Sequence, residues 1–217
     1  MREIEDLRDK LLVNQSEIEV NDLGGGSIHF TSSKRMLSQI AHTGLTPRIF
    51  CSFYFRMLQF LEAKRVIELG TSLGITTLYL AARKEAKVFT FEGSGAVANV
   101  ALTNFEYFNT KNIDLIEGNI DSTLPDFLQN PSKINFALID ANHRYEPTVR
   151  YFNLLSKRMA DKGIIVVDDI HHTPDMERAW NELKKNDLVY ASVDLFRCGL
   201  LFFDPALNKQ HFVWSIS

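Results

Sequence analysis

Three short apolar runs of this sequence end in acids: Glu92 closes 88–91, Asp140 closes 134–139, and the pair Asp168-Asp169 closes 163–167. A fourth run carries Glu68 just ahead of Gly70. A carboxylate at a strand end can accept hydrogen bonds from ribose hydroxyls, hold a cation or orient a base. Gly70 and Gly74 frame Thr71-Ser72-Leu73. The first permits a tight turn and close approach of a ligand to backbone, and the second relaxes packing where a helix begins. An ordinary strand-to-helix turn has the same spelling, so the two glycines alone select no ligand. With Glu92 they point to a nucleoside-bearing one. The turn lacks the middle glycine of G-x-G-x-x-G, through which backbone amides crowd a pyrophosphate, so NAD is disfavoured. The phosphate loop G-x-x-x-x-G-K-[ST] is also missing, which argues against an ATP-hydrolysing motor.

Asp140, Asp168 and Asp169 would share one rim if their strands are adjacent and parallel. Three carboxylates there repel unless protonated or joined by a cation, and an oxygen-rich set suits Mg²⁺ or Ca²⁺. Neighbouring residues of a strand point to opposite faces, so Asp168 is the weaker metal ligand of the pair. His171 and His172 follow closely and could extend such a site toward Zn²⁺ or Fe²⁺, but they read more simply as structural.

The elements that position these residues follow from periodicity. Ile4, Leu7, Leu11 and Leu12 recur at helical spacing and predict a helix over 2–13, and helices are expected over 33–43 and 47–62. The last carries Phe50, Phe53, Tyr54, Phe55 and Phe60, expected to pack into the core. Gly24-Gly25-Gly26 marks a loop within 22–27, either a lid or a linker. From 65 onward, strands at 65–69, 87–92, 112–116, 134–140 and 163–168 alternate with helices at 74–85, 95–108, 121–129, 145–160 and 174–186. Such alternation implies right-handed crossovers and a doubly wound, Rossmann-like α/β sheet, mostly parallel. The runs 189–195, 199–203 and 211–214 have no helices between them and should add antiparallel strands at one edge. The reading is a helical N-terminal segment, 1–62, ahead of a ligand-binding domain, 63–217.

Composition narrows the partners. The 217 residues make one full domain with a short appendage, with roughly 70% of the chain's surface available for burial. Balanced charge, 24 Lys+Arg against 27 Asp+Glu, argues against bulk nucleic acid or an anionic membrane and favours a small-molecule substrate. No apolar run approaches the roughly 20 residues of a membrane span. With only Cys51 and Cys198 and a charged start, the expectation is cytoplasmic. A homodimer through the helical segment or the tail strands is one expectation, and a monomer the other.

Val66-Ile67-Glu68-Leu69-Gly70-Thr71-Ser72-Leu73-Gly74, with Thr90-Phe91-Glu92-Gly93, Glu117-Gly118-Asn119 and Leu138-Ile139-Asp140, resembles the class I S-adenosylmethionine-dependent methyltransferases. The resemblance spans about 48–203 and implies S-adenosylmethionine as cofactor. It places Glu68 and the turn of Gly70, Thr71, Ser72 and Gly74 by the methionine end, with Asp140 also at the cofactor. Glu92, followed by Gly93, would bind the ribose, and Asn119 with Ile120 would border the adenine. A cofactor without phosphate fits the missing glycine. The segments Asp140-Ala141-Asn142-His143 and Val167-Asp168-Asp169-Ile170 resemble the small O-methyltransferases of the catechol and macrolide-sugar types. That implies His143 as base beside Asp140, with a divalent ion at Asp140, Asp168 and Asp169. Ile170 departs from the catechol type, which has Asn there. Tyr145 is expected near the cofactor loop.

Three functions compete: O-methyl transfer to a small acceptor, a non-catalytic module that binds S-adenosylmethionine and acts through a partner, and an NAD-dependent oxidoreductase.

Overall fold

The computed structural model describes residues 1–20 and 34–215, so the glycine-rich segment 22–27 lies outside the described residues. In chain order the elements open with α1 (Arg2–Leu12), β1 (Glu17–Glu19), β2 (Lys34–Met36), α2 (Leu37–Gly44) and α3 (Arg48–Phe60). Strands and helices then alternate: β3 (Arg65–Leu69), α4 (Ile75–Ala81), β4 (Lys87–Glu92), α5 (Gly95–Tyr107), β5 (Ile113–Glu117) and α6 (Ile120–Phe127). They continue with β6 (Ile134–Ile139), α7 (Tyr145–Ser156), β7 (Met159–Asp168) and α8 (Pro174–Leu183). The tail is β8 (Ala191–Asp194), β9 (Cys198–Phe202) and β10 (Gln210–Val213). Among the described residues no helix is long and apolar enough to cross a membrane.

Two compact units divide the chain. The first comprises Met1–Ala63 and Gly70–Thr123. Its core joins Ile4 and Leu11 of α1 to Ile40, Cys51, Leu73, Ile75, Tyr79, Ala101 and Phe105. Arg8 is drawn into this core by Glu5, 3.1 Å away, whose carboxylate also accepts from the Tyr79 hydroxyl at 2.8 Å. In the same unit β4 and β5 pair in parallel from Val88 against Ile113 to Glu92 against Glu117. The short antiparallel pair β1–β2 is not among the expected elements: β2 takes 34–36 from the helix expected over 33–43, which starts at Leu37, and three residues per strand are too few to register as alternation. Of the α3 aromatics only Tyr54 is fully enclosed, while Phe60 is 86% exposed, so the expectation that all of them enter the core fails at the helix end.

The second unit comprises Lys64–Leu69 and Leu124–Ser217. Its strands lie in the order β10-β8-β9-β7-β6-β3. β3, β6 and β7 run parallel, and their near-continuous Val, Ile and Leu content is that of strands covered on both faces. β9 is antiparallel to β7 and to β8, whereas β10 returns parallel to β8. The architecture is the Rossmann-like α/β fold with antiparallel pairing at its C-terminal end. β7 starts at Met159, inside the stretch expected to be helical to 160. The β6–β7 register shifts between Ile134 and Phe136, and Lys162 turns to a φ of 68°, which lets the chain bulge before Gly163. α8 starts where Thr173 accepts a hydrogen bond from the Met176 amide at 3.2 Å, with Pro174 at the first turn.

Two expectations test this packing. Gly74 has a φ of +83°, and a Cβ there would lie 2.5 Å from the Phe105 ring. Gly74→Ala should lower stability by roughly 2–4 kcal/mol in urea unfolding, and a change below about 0.5 kcal/mol would contradict this account. His171 lies between Asp194 at 2.9 Å and Glu177 at 3.3 Å. Burial works against protonation of His171, but the hydrogen bonds and charges of Asp194 and Glu177 outweigh it and lift its pKa above the ordinary 6.5. Burial also opposes ionisation of Asp194. The Phe196 amide and His171 outweigh that and hold it below 3.8. The histidine contribution is complete below its unfolded pKa and lost as pH rises through the raised value; that of Asp194 is complete above its unfolded pKa and lost as pH falls through the lowered one. The stability difference between wild type and His171→Gln should therefore be largest between about pH 4.5 and 6 and shrink above neutrality. A difference independent of pH would contradict the pairing.

Candidate active site

In the first unit the turn after β3 is tied to the end of β4. Gly70, at a φ of 101°, and Thr71 both donate their amides to the Phe91 carbonyl, at 3.0 and 3.1 Å. The Thr71 and Thr90 hydroxyls meet at 2.6 Å in the core. Glu92 then acts as a clamp. Its Oε2 accepts the Ser72 amide at 2.9 Å and its Oε1 the Ser94 amide at 3.0 Å. Ser72 adopts a left-handed φ of 48°, a strained conformation this bond helps to hold. The Gly74 amide donates to the Thr71 carbonyl at 3.0 Å. Gly70, Thr71, Ser72, Gly74, Glu92 and the adjoining Gly93 are thus one assembly. Asn119 and Ile120 follow β5, where the Gly118 amide reaches the Glu92 carbonyl at 2.9 Å. The Asn119 side chain accepts the Asp121 amide at 2.9 Å and Ile120 is buried, so both serve the start of α6. Ser94 was not singled out in the sequence; a serine two residues beyond a strand acid is a common helix start, which conceals its amide's tie to Glu92.

The second unit gathers the acids of the other strand ends. Glu68 is fully buried within β3. Asp140 follows β6 and donates its amide to the Leu69 carbonyl at 2.9 Å. The loop beyond it holds Asn142 and His143 at φ values of 64° and 40°, and the Asn142 amide donates to the Tyr151 hydroxyl at 2.6 Å. That loop conformation swings His143 back over the strand end. Its Nε2 lies 3.2 Å from Asp140 Oδ1 and 3.8 Å from Asp169 Oδ2. Asp168 is fully buried at the end of β7, and Asp169 turns to a φ of 52°. That turn ends the strand alternation that made Asp168 the weaker candidate, and both carboxylates reach Arg197. Its guanidinium lies 2.7 Å from Asp168 Oδ2 and 3.7 Å from Asp169 Oδ1.

Charge balance explains the titration of this cluster. Burial raises the Asp168 carboxyl well above its ordinary pKa, and Asp140 and Asp169 add to that, against the opposing charge of Arg197. Burial presses the His143 imidazole down, but Asp140, Asp169 and Asp168 outweigh it and lift its pKa above the ordinary value. Arg197, similarly opposed by burial, is held charged by the same three acids.

The divalent ion expected at Asp140, Asp168 and Asp169 does not fit this arrangement. Among the described residues no group of three or more His, Cys, Asp or Glu side chains is set to hold a metal, and nitrogens of Arg197 and His143 face the carboxylates. His171 binds Asp194 and Glu177 and extends no metal site. Tyr145 is engaged by α8, where its hydroxyl donates to Glu182 and the Arg178 guanidinium stacks 3.7 Å from its ring centre. Arg197 is the residue that sequence reasoning missed; it lies 29 positions from Asp168 in a hairpin with no motif around it.

Residues 67–170 match the sequence profile of a methyltransferase-domain family. No curated protein matches the chain by sequence. Among solved structures, an O-methyltransferase from Bacillus cereus in complex with SAH is similar at a TM-score of 0.65 and 18% identity, covering 74% of this chain and 83% of that one. An O-methyltransferase from Streptomyces achromogenes involved in tomaymycin synthesis, in complex with SAM, has a TM-score of 0.66 and 18% identity over 74% and 82% of the two chains. An SAH-bound methyltransferase from Podospora anserina has a TM-score of 0.66 and 16% identity over 76% and 81%. At such identities the likeness to these structures is one of fold. Residues 67–170 thus match a methyltransferase domain in sequence, and the chain shares the fold of solved methyltransferases.

Proposed function

We propose that the protein transfers the methyl group of S-adenosylmethionine to a hydroxyl oxygen of a small molecule, with His143 as base and Asp140 orienting it. The observation that carries this reading is the imidazole held 3.2 Å from Asp140 at the carboxyl end of β6, where parallel-sheet proteins keep their chemistry. The two solved O-methyltransferases of the same fold support oxygen as acceptor.

The turn after β3 fits a cofactor without phosphate. The amides of Gly70, Thr71, Ser72 and Gly74 are all spent on protein acceptors, which leaves few for a diphosphate. This weighs against the NAD reading. The Glu92 oxygens accept the Ser72 and Ser94 amides, and a carboxylate fixed in this way at the end of β4 is the group proposed to receive the ribose hydroxyls. Asn119 and Ile120 would flank the adenine, and Glu68, Thr71, Ser72 and Asp140 would serve the methionine end.

S-adenosylmethionine supplies, when bound, a methyl group already activated by its positively charged sulfur. The protein's task is then to orient an acceptor in line and to remove a proton. With His143 Nε2–H donated to Asp140, Nδ1 carries the lone pair that takes the acceptor's hydroxyl proton. Asp140 and Asp169 then stabilise the imidazolium, as the acid does in a histidine–carboxylate pair.

Glu92→Ala should weaken S-adenosylmethionine binding roughly 10- to 100-fold in calorimetry, the cost of charge-assisted hydrogen bonds, and unchanged affinity would remove the ribose assignment. His143→Ala should lower kcat by about 10²–10⁴ across hydroxylated acceptors while cofactor affinity stays within a few-fold. Equal losses in both would make His143 a scaffold residue. Cofactor binding by wild type with no methyl release to any acceptor would favour the non-catalytic module.

A further inference from the structure

We propose that Arg197 is a built-in cation for the carboxylate cluster, standing where a divalent ion would be needed, and that it makes methyl transfer by this protein independent of metal. The second half rests on the methyltransferase reading; the first does not. Asp168 and Asp169 are consecutive, yet both face one guanidinium, at 2.7 and 3.7 Å, while His143 faces Asp140 and Asp169 at 3.2 and 3.8 Å. Each of the three carboxylates a metal would use is therefore already opposite a nitrogen.

The hairpin between β8 and β9 fixes Arg197 in this position. Leu195 donates its amide to the Cys198 carbonyl at 2.9 Å, and Arg197 donates its own to Leu195 at 2.8 Å. Phe196 takes a left-handed φ of 65°, with its amide on Asp194 Oδ1 at 2.8 Å. The Arg197 carbonyl accepts the amide of Ile170, the residue after Asp169, at 3.2 Å. The tip of the hairpin and the end of β7 are thus tied at the backbone as well as through charge. A guanidinium stays protonated at any working pH, so this cation is permanent.

The remaining ligand supply is poor. Mg²⁺ takes six oxygens in near-octahedral array and Ca²⁺ six to eight. Ile170 is buried and offers no oxygen from its side chain. Asp168 Oδ1 is the one carboxylate oxygen of that residue with no hydrogen bond among the described residues, a single ligand atom. A divalent ion would also have to displace the fixed charge of Arg197.

The test is a Mn²⁺ titration of the purified full chain, followed by the electron paramagnetic resonance signal of the free ion. Wild type should take up none, and its methyl transfer should be unchanged by EDTA. Arg197→Ala, which exposes the acids, should take up about one ion per chain. Stoichiometric Mn²⁺ uptake by wild type, or a folded Arg197→Ala that takes up none, would overturn the assignment. Should Arg197→Ala fail to fold, Arg197→Gln replaces it, and the wild-type titration is decisive alone. The titration needs neither cofactor nor acceptor, so lack of methyl transfer would remove the proposed reaction without touching this result.

Discussion

A carboxylate enclosed by protein must be met by positive charge or by hydrogen-bond donors, because leaving it bare costs more than most single interactions can return. Asp168 is such a group, fully buried at the end of β7. Arg197 meets it at 2.7 Å, and the surrounding backbone is arranged to keep that contact. The left-handed residues Asn142, His143, Asp169 and Phe196 all lie in the loops that carry this cluster. Strained backbone of this kind persists where surrounding contacts over-determine it, and here those contacts are Asn142 to Tyr151, His143 to Asp140, Asp169 to Arg197 and the Phe196 amide to Asp194.

Glu92 obeys the same rule by other means. Two backbone amides, from Ser72 and Ser94, hold its two oxygens. Amides share their hydrogen bonds more readily with a ligand than an arginine gives up an ion pair. On that difference Glu92 is proposed to bind the ribose, while Asp168 holds the structure. Asp140 is intermediate, half-buried and facing an imidazole that can gain or lose a proton.

Much of this was legible from the chain. The bounds of β3 and β4 coincide with the apolar runs that define them, since consecutive β-branched and aromatic residues between glycine- or charge-rich turns have few other uses. The acids at the ends of those runs are the carboxylates proposed to form the site. What escaped depends on partners distant in sequence. Arg197 carries no local pattern, and only the folding of β8 and β9 against β7 brings it to Asp168. Three acids at one rim repel unless protonated or joined by a cation, and the sequence does not show that an arginine 29 positions beyond Asp168 faces two of them. The Met159 end of β7 was missed for a related reason: a bulge at Lys162 separates it from the apolar run, so periodicity alone stops too early.

The central claim is that one chain supplies a ribose-binding carboxylate held by amides and an acidic cluster neutralised from within. A crystal structure of the wild-type protein grown with S-adenosylhomocysteine and Mg²⁺ examines both directly. The account expects the ribose hydroxyls on Glu92, with the Ser72 and Ser94 amides still in place, and the Arg197 guanidinium still against Asp168 with no metal density beside it. A ribose bound away from Glu92, or an ion ligated by Asp140, Asp168 and Asp169 with Arg197 turned outward, would contradict it.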